Sequence, residues 1–315
     1  MKTVLVLGPN PAWQKTLTFS RLLPGEVNRA CSRQEAPSGK GINFCKAMAI
    51  HGKTTPFLIQ FTGGENGKFI NKSLPLAGKT AFDSISIRTE APTRCCITCL
   101  DQEQKITTEL IEPSFAATPE EPERYLQAIS QKLTDPGVSA IALCGTLPTG
   151  TDPELYPRAA ALAARKNIPV FADSYRNFSG LMASGADVFL KINAAELKEL
   201  SGESSIPSGI SQLLSMYKNL RFAAITNGAD NALASDGKSV MEYEIPRLQN
   251  VINPIGSGDT ASAVFAAELL TVQDPFAAFK SALACACANC LTSQPGEFDP
   301  VEAQQIISTI TIKLH

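Results

Sequence analysis

Val138-Ser-Ala-Ile-Ala-Leu143, the stretch Pro153–Lys166 and Ile168-Pro-Val-Phe-Ala172 follow one another with only short breaks between them. The first and third are short apolar runs of strand length, and the second has a helical apolar pattern, so strand, helix and strand are predicted in turn. The series continues with a strand over Val188–Ile192, a helix over Ala194–Leu200 and a strand over Phe222–Thr226. Such alternation is the signature of βαβ units and a parallel sheet. Toward the N-terminus, Thr3-Val-Leu-Val-Leu-Gly8 reads as a further buried strand stopped by Gly8-Pro9. Helices are predicted over Gly41–His51, capped by Gly52, and over Pro122–Leu133. The fold class is α/β.

Two stretches break this pattern. Lys15–Ala36 alternates polar and apolar residues without a helix, and Phe82–Pro113 does the same around a turn at Asp101-Gln-Glu-Gln104. Both read as antiparallel ribbon with one apolar face. They are expected to join as one small sheet over the edge of the core. Phe19, Leu22, Ile85, Ile87, Ile97 and Leu110 on that sheet need a partner, for which a second subunit is a candidate.

Composition narrows the function classes. At 315 residues and 33.6 kDa there is room for one large α/β domain or two small ones. With 44% hydrophobic residues, and 21 each of glycine and proline, the chain is neither disordered nor collagen-like. The 28 basic and 30 acidic residues leave a net charge of −2, which argues against nucleic acid or an anionic membrane as partner. The most apolar region, Thr260–Leu291, is interrupted by Glu268, Asp274, Pro275 and Lys280, so no membrane span is predicted. Val4–Leu7 is too short for a signal-peptide core, and a cytoplasmic protein is expected. Nine cysteines include two C-x-x-C pairs, Cys96/Cys99 and Cys287/Cys290, which on paper make a four-thiolate zinc site. However, Cys96 and Cys99 fall on a predicted strand, where positions three apart face opposite sides. Buried reduced thiols and no structural metal are expected.

Three short motifs carry the chemistry. In Asn253-Pro-Ile-Gly-Ser-Gly-Asp-Thr260 a turn leads into Gly256, Ser257 and Gly258, and Asp259 opens an apolar helix running to about Leu270. Glycines let a ligand approach the backbone, and free N–H groups at a helix start favour an anion. Asp259 could take a proton from a hydroxyl whose target sits on those groups; the bland alternative is an ordinary N-cap. Pro37-Ser-Gly-Lys-Gly-Ile-Asn43 is a second glycine-bracketed turn entering a helix. It is no Walker A loop, because Gln34 and Gly41 stand where Gly and Ser/Thr are required, and Gly8-Pro-Asn-Pro offers no dinucleotide fingerprint. Lys40 could place a cation on a phosphate and Asn43 could bind sugar hydroxyls, or Lys40 is a solvated turn residue. Finally, in Lys191-Ile-Asn-Ala-Ala-Glu196, Asn193 and Glu196 share one face of a helix start. The pair suits a hydrated Mg²⁺ or, more plainly, a capping box.

In combination these motifs make the sequence resemble, from end to end, the ribokinase-like (PfkB) carbohydrate kinases. The turn at 38–43, Gly63-Gly64-x-x-Gly67, Asn193-x-x-Glu196 and Gly256-Ser-Gly-Asp259 stand in that family's order and approximate spacing. Asn10-Pro-Ala, Glu26-Val-Asn-Arg29, Thr108-Glu-Leu-Ile-Glu-Pro113, Gly145-Thr-Leu-Pro148 and the Asn253-Pro254 loop are similar to the branch of 1-phosphofructokinase and tagatose-6-phosphate kinase. The resemblance implies one kinase domain over residues 1–315, a three-layer α/β/α core with a small β lid. The lid segments would be approximately 11–36 and 82–113, closing over the sugar and forming a homodimer. It also implies ATP and Mg²⁺. Asp259 would be the general base, with the backbone of Gly256 and Gly258 on the transferring phosphoryl group. Lys191, Asn193, Thr226, Gly228, Ser257 and Asn289 would contact the nucleotide, Asn289 beside the adenine. Glu196 and Asn193 would organise the metal. Gln14, Arg29, Gly39, Lys40, Asn43 and Arg94 would bind the sugar, with Arg29, Lys40 and Arg94 forming a cationic pocket for a substrate phosphate.

Three positions depart from that family's pattern. Gln14 stands where an Asp grips sugar hydroxyls, Asp173-Ser-Tyr-Arg176 replaces a Ser/Thr-Gly turn, and Asn231 replaces a glycine after Thr226-Asn-Gly228. Trp13 is expected in the core or an interface rather than over a sugar face. The leading expectation is a kinase of a phosphorylated ketohexose, with fructose 1-phosphate ahead of tagatose 6-phosphate or fructose 6-phosphate. A kinase of an unphosphorylated sugar or nucleoside and a non-catalytic sugar-phosphate binder are the alternatives.

Overall fold

The computed structural model describes all residues except Ala77, Phe115 and Ala116, and omits the side chains of Leu76 and Lys79. Strands β1 (Thr3–Leu7), β4 (Thr55–Thr62), β5 (Asp83–Arg88), β8 (Val138–Cys144), β9 (Val170–Asp173), β10 (Val188–Asn193) and β11 (Leu220–Asn227) lie parallel in one sheet. Strands β12 (Asp230–Ser235), β13 (Val240–Glu244) and β14 (Thr311–Leu314) extend it antiparallel, in the order β14-β13-β12-β11-β10-β9-β8-β1-β4-β5. A separate four-stranded sheet, ordered β3-β2-β6-β7, comprises β2 (Ala12–Phe19), β3 (Ser32–Ser38), β6 (Cys95–Asp101) and β7 (Ile106–Ile111).

Alternation along β1 shows how the layers form. Val4 and Val6 join one core cluster with α1 (Lys40–His51), α8 (Ser257–Val272) and α9 (Pro275–Cys290). Leu5 and Leu7 join the other, with α3 (Glu120–Lys132), α4 (Leu155–Ala164), α5 (Phe178–Ala183), α6 (Ala194–Ser201) and α7 (Ile206–Met216). Successive strand side chains point to opposite faces, so a strand apolar at every position demands helices on both. Alanines at the buried positions of α8 and α9 let these two helices pack together, and the Asp274 carboxylate caps α9 by accepting from the Phe276 and Ala277 amides. Two remaining helices are α2 (Gly64–Ser73) and α10 (Pro300–Ile307). Among the described residues no helix is long and apolar enough to cross a membrane.

The parallel sheet forms where the alternation predicts it, with the ends of α4 trimmed. An Asx turn, Glu154 N donating to Asp152 Oδ1 at 2.9 Å, occupies the expected start, and Asn167 turns the chain at φ +54° beyond the end. The ribbons need one correction. Asp83–Arg88 is not in the small sheet: it pairs parallel with β4 at the core edge, and Ile85 and Ile87 pack onto the core cluster. The expected second lid segment, 82–113, therefore contributes only Cys95–Asp101 and Ile106–Ile111. Within the small sheet each ribbon pairs antiparallel as expected, β2 with β3 and β6 with β7, and the two ribbons join through a parallel pairing of β2 with β6.

Candidate active site

The candidate site lies at the carboxyl ends of the parallel strands. From β1 the chain builds β4 and β5 on one side and, from β8 onward, the rest of the sheet on the other, so the crevice opens where strand order reverses. Asp173 ends β9, Lys191 and Asn193 end β10, and Thr226, level with Asn193 in register, ends β11. Gly228 follows in an exposed turn at φ +61°.

The loop before α8 is built for close backbone approach. Gly256 has φ +82°, and a Cβ there would stand 2.6 Å from the Gly296 amide nitrogen. Any side chain would push the two loops apart. A Cβ on Gly258 would lie 3.1 Å from Lys191 Nζ, which donates to the Gly258 carbonyl at 2.9 Å. Ser257 opens α8; its own amide donates to Pro254 O at 3.3 Å and the Thr260 amide to Gly256 O at 2.8 Å, which leaves the Gly258 and Asp259 amides as the donors without a hydrogen-bond acceptor among the described residues. Asn289 holds this loop from beneath. It is fully buried, accepts from Thr260 Oγ1 at 2.8 Å and Gly296 N at 3.0 Å, and donates to Ile255 O at 3.1 Å. Expected beside an adenine, Asn289 makes these hydrogen bonds to the loop before α8 and the Gly296 turn.

Asp259, 7% exposed, has Oδ2 accepting from Asn43 Nδ2 at 2.7 Å. Burial and the charge of Asp173 raise its pKa from 3.8 to about 6, against the pull of Lys40, Asn43 and Lys191. Asp173 itself is pushed up by burial but held below the usual carboxylate range by Lys40 and Lys191 and by the hydroxyl of Ser262, which donates at 3.0 Å. Lys40 Nζ lies 3.0 Å from Asp173 Oδ1 and 3.7 Å from Glu196 Oε1. Burial disfavours its charge, yet Asp173, Asp259 and Glu196 outweigh that and raise its pKa. Lys40 thus neutralises two carboxylates instead of standing free for a sugar phosphate. Asn43, expected on sugar hydroxyls, donates to Asp259.

Asn193 and Glu196 realise the capping-box alternative. Asn193 Oδ1 accepts from Glu196 N at 2.9 Å, and Glu196 Oε2 accepts from Asn193 N at 3.0 Å. The Asn193 oxygen is taken by the cap, which leaves Glu196 Oε1, beside Lys40, as the oxygen open to a metal. One carboxylate fits a Mg²⁺ that arrives on nucleotide phosphates and keeps most of its waters, and Glu196 would hold it through one of them. Among the described residues no cluster of three or more His, Cys, Asp or Glu could hold a metal unaided.

The sugar-side residues divide. Gly39, at φ +111° and with its Cβ position 2.9 Å from Pro11 Cα, brings the turn before α1 against the turn after β1. Arg94 Nη2 donates to Asn10 O at 3.2 Å, while its buried Nε has no hydrogen-bond partner among the described residues. It lines a small cavity with Pro9, Asn10, Thr93, Ser114 and Pro148. Gln14, 6% exposed, donates to Thr98 Oγ1 at 2.8 Å and to Lys15 O at 3.3 Å. Its amide nitrogen is anchored within the small sheet, an arrangement a carboxylate could not make. Trp13 packs on Phe69 at 5.4 Å between ring centroids and donates from Nε1 to Glu35 at 3.3 Å, as core packing predicts. Arg29 is exposed in the β2–β3 loop, with no ion pair among the described residues. Sequence reasoning left Asp173 without a role, and Ser38, Ser262 and Thr98 unnoticed. Asp173 ends a buried strand at the carboxyl edge, which was a usable signal; nothing local marks the three hydroxyls.

Residues 5–302 match the family model described as pfkB family carbohydrate kinase. A Thermotoga maritima structure named "Possible 1-phosphofructokinase" aligns with TM-score 0.88 at 18% identity, covering 99% of both chains. Escherichia coli phosphofructokinase-2 in complex with substrates and products aligns with TM-score 0.86 at 17% identity, over 98% of this chain and 99% of that one. Arabidopsis thaliana ribokinase complexed with ribose and ATP aligns with TM-score 0.72 at 17% identity over the same shares.

Proposed function

Because the chain belongs to the pfkB family of carbohydrate kinases, we propose that its phosphoryl transfer runs from ATP to a hydroxyl of a phosphorylated ketohexose, fructose 1-phosphate ahead of tagatose 6-phosphate or fructose 6-phosphate. The observation that carries the chemistry is Asp259. It is a buried carboxylate beside the first-turn amides of α8, with Oδ2 held by Asn43 and Oδ1 without a partner among the described residues. In the proposed reaction the sugar hydroxyl oxygen forms a bond to the γ-phosphorus, the bond from that phosphorus to the bridging oxygen of ADP breaks, and the hydroxyl proton passes to Asp259 Oδ1. The amides of Gly256 and Gly258 face the charge on the transferring group, and Lys191 fixes the Gly258 carbonyl so that the loop keeps its shape. Glu196 would hold, through water, a Mg²⁺ arriving with ATP, which would supply charge neutralisation when bound. Thr226, Gly228 and Ser257 border the same crevice, where the nucleotide would lie.

The phosphosugar assignment rests on Arg94, whose buried Nε lacks a partner among the described residues at a cavity near the turn before α1. An unsatisfied buried donor on a guanidinium is completed by an anion. The engagement of Lys40 with Asp173 and Glu196 favours a second reading, a kinase of an unphosphorylated sugar, because it leaves Arg94 alone for a phosphate. ADP release from Mg-ATP separates the two, measured with fructose 1-phosphate, fructose 6-phosphate, tagatose 6-phosphate and the free sugars, Asp259→Asn alongside. Turnover confined to a phosphosugar and lost in the variant is the expected result. Turnover with a free sugar selects the second reading, and sugar binding without ADP removes the kinase assignment.

A further inference from the structure

Ser38, Asn43 and Asp259 form a buried file of polar side chains that runs from the end of β3, through the first turn of α1, to the start of α8. Ser38 is 5% exposed and Asn43 4%. Ser38 Oγ donates to Asn43 Oδ1 at 3.2 Å, and Asn43 Nδ2 donates to Asp259 Oδ2 at 2.7 Å. The file connects the turn before α1 to the Asp259 carboxylate.

An amide side chain has one accepting and one donating end, and a carboxylate can receive only from the donating one. Asn43 therefore serves Asp259 only while its oxygen points away, into a buried region where the oxygen needs a donor of its own. The Ser38 hydroxyl is that donor. Resting on the kinase reading above, we infer that Ser38 is a positioning residue, which anchors the Asn43 amide so that Asn43 occupies Oδ2 of Asp259 and leaves Oδ1 to receive the substrate proton. A hydroxyl bonded to the amide oxygen also polarises the amide, so the N–H···carboxylate bond beyond it strengthens. Without Ser38, Asn43 keeps a buried oxygen unpaired or swings away to find a partner, and in both cases Asp259 holds its charge less well. The other charged groups acting on Asp259 are Asp173 from β9, Lys191 from β10 and Lys40 from α1. None of them contacts Ser38 through a hydrogen bond or ion pair.

Two readouts test this with Ser38→Ala and Ser38→Thr. The first is the carboxyl ¹³C NMR titration of Asp259 in the free enzyme, labelled at aspartate and assigned by the signal missing from Asp259→Asn. Loss of the hydroxyl is expected to raise the titration midpoint by about half a pH unit, roughly threefold in proton affinity, and Ser38→Thr is expected to restore it. The second is the acid limb of kcat, which should move by the same amount while KM for Mg-ATP stays put. A Ser38→Ala midpoint that superimposes on the unsubstituted protein overturns the inference. The NMR titration needs no turnover, so a moved midpoint in a protein inactive on every sugar would uphold the relay while the kinase reading failed.

Discussion

Asp259 is costly to the free protein at the pH where it would work. Its pKa rises from 3.8 to about 6 on folding because burial and Asp173 oppose its charge. A carboxyl raised in the folded state contributes stability that is fully present below its unfolded pKa and is lost as pH climbs through the folded one. Asp259→Asn, neutral at every pH, escapes that loss. Thermal melts should show the variant level with the parent near pH 4 and gaining through pH 6, to about 3 kcal/mol above pH 7. Turnover should fall by about 10²–10⁴ in the same variant. A variant no more stable than the parent at pH 8 would mean that Asp259 sits comfortably charged, against the role of a strained base. At this scale the sequence singled out Asp259 through the glycines before it. It could not reveal its partners, because Asn43 is 216 residues away and Lys40 and Asp173 are 133 apart. Pairings made by loop closure leave no local pattern.

At the scale of elements, the βαβ series was legible because strands buried on both faces are apolar throughout, a property that survives without knowledge of neighbours. The two ribbons were less so. Ser84-Ile-Ser-Ile87 alternates in the same way whether its partner is the core edge or the small sheet, and only the parallel pairing with β4 decides. The glycine motif at 63–67 shows what an element can do that its motif does not announce. Gly63 N donates to Thr93 Oγ1 at 3.0 Å, Thr93 N to Gly63 O at 2.9 Å, and Asn66 Nδ2 to Thr93 O at 2.9 Å. The start of α2 therefore grips the segment that carries Arg94 into β6. A Cβ on Gly63 would lie 2.0 Å from the Ala91 carbonyl, so Gly63→Ala must displace that segment. The expected effect is a rise of tenfold or more in KM for the phosphosugar at nearly constant KM for Mg-ATP, read by steady-state kinetics. Equal losses in both would place the grip in general folding instead.

For the whole molecule, the open question is what covers the small sheet. Ile106 and Leu110 on one of its faces are 52% and 55% exposed, and Ile111 on the other is 57% exposed. Apolar side chains clustered this way on a four-stranded sheet mark a surface made to be covered. We propose a second copy of the chain, joined sheet to sheet. A two-fold interface uses each residue twice, so Leu110→Asp removes two apolar contacts and adds two carboxylates in one substitution. At about 1–2 kcal/mol for each half-buried leucine, association should weaken by about 2–4 kcal/mol, or roughly 30- to 1000-fold. Light scattering at micromolar concentration should give the dimer mass for the parent and the monomer mass for the variant. Leu110 is already more than half exposed within one chain, so the melting temperature of the isolated monomer should hardly change. A parent that is monomeric at that concentration leaves these faces to the substrate or to solvent and removes the dimer.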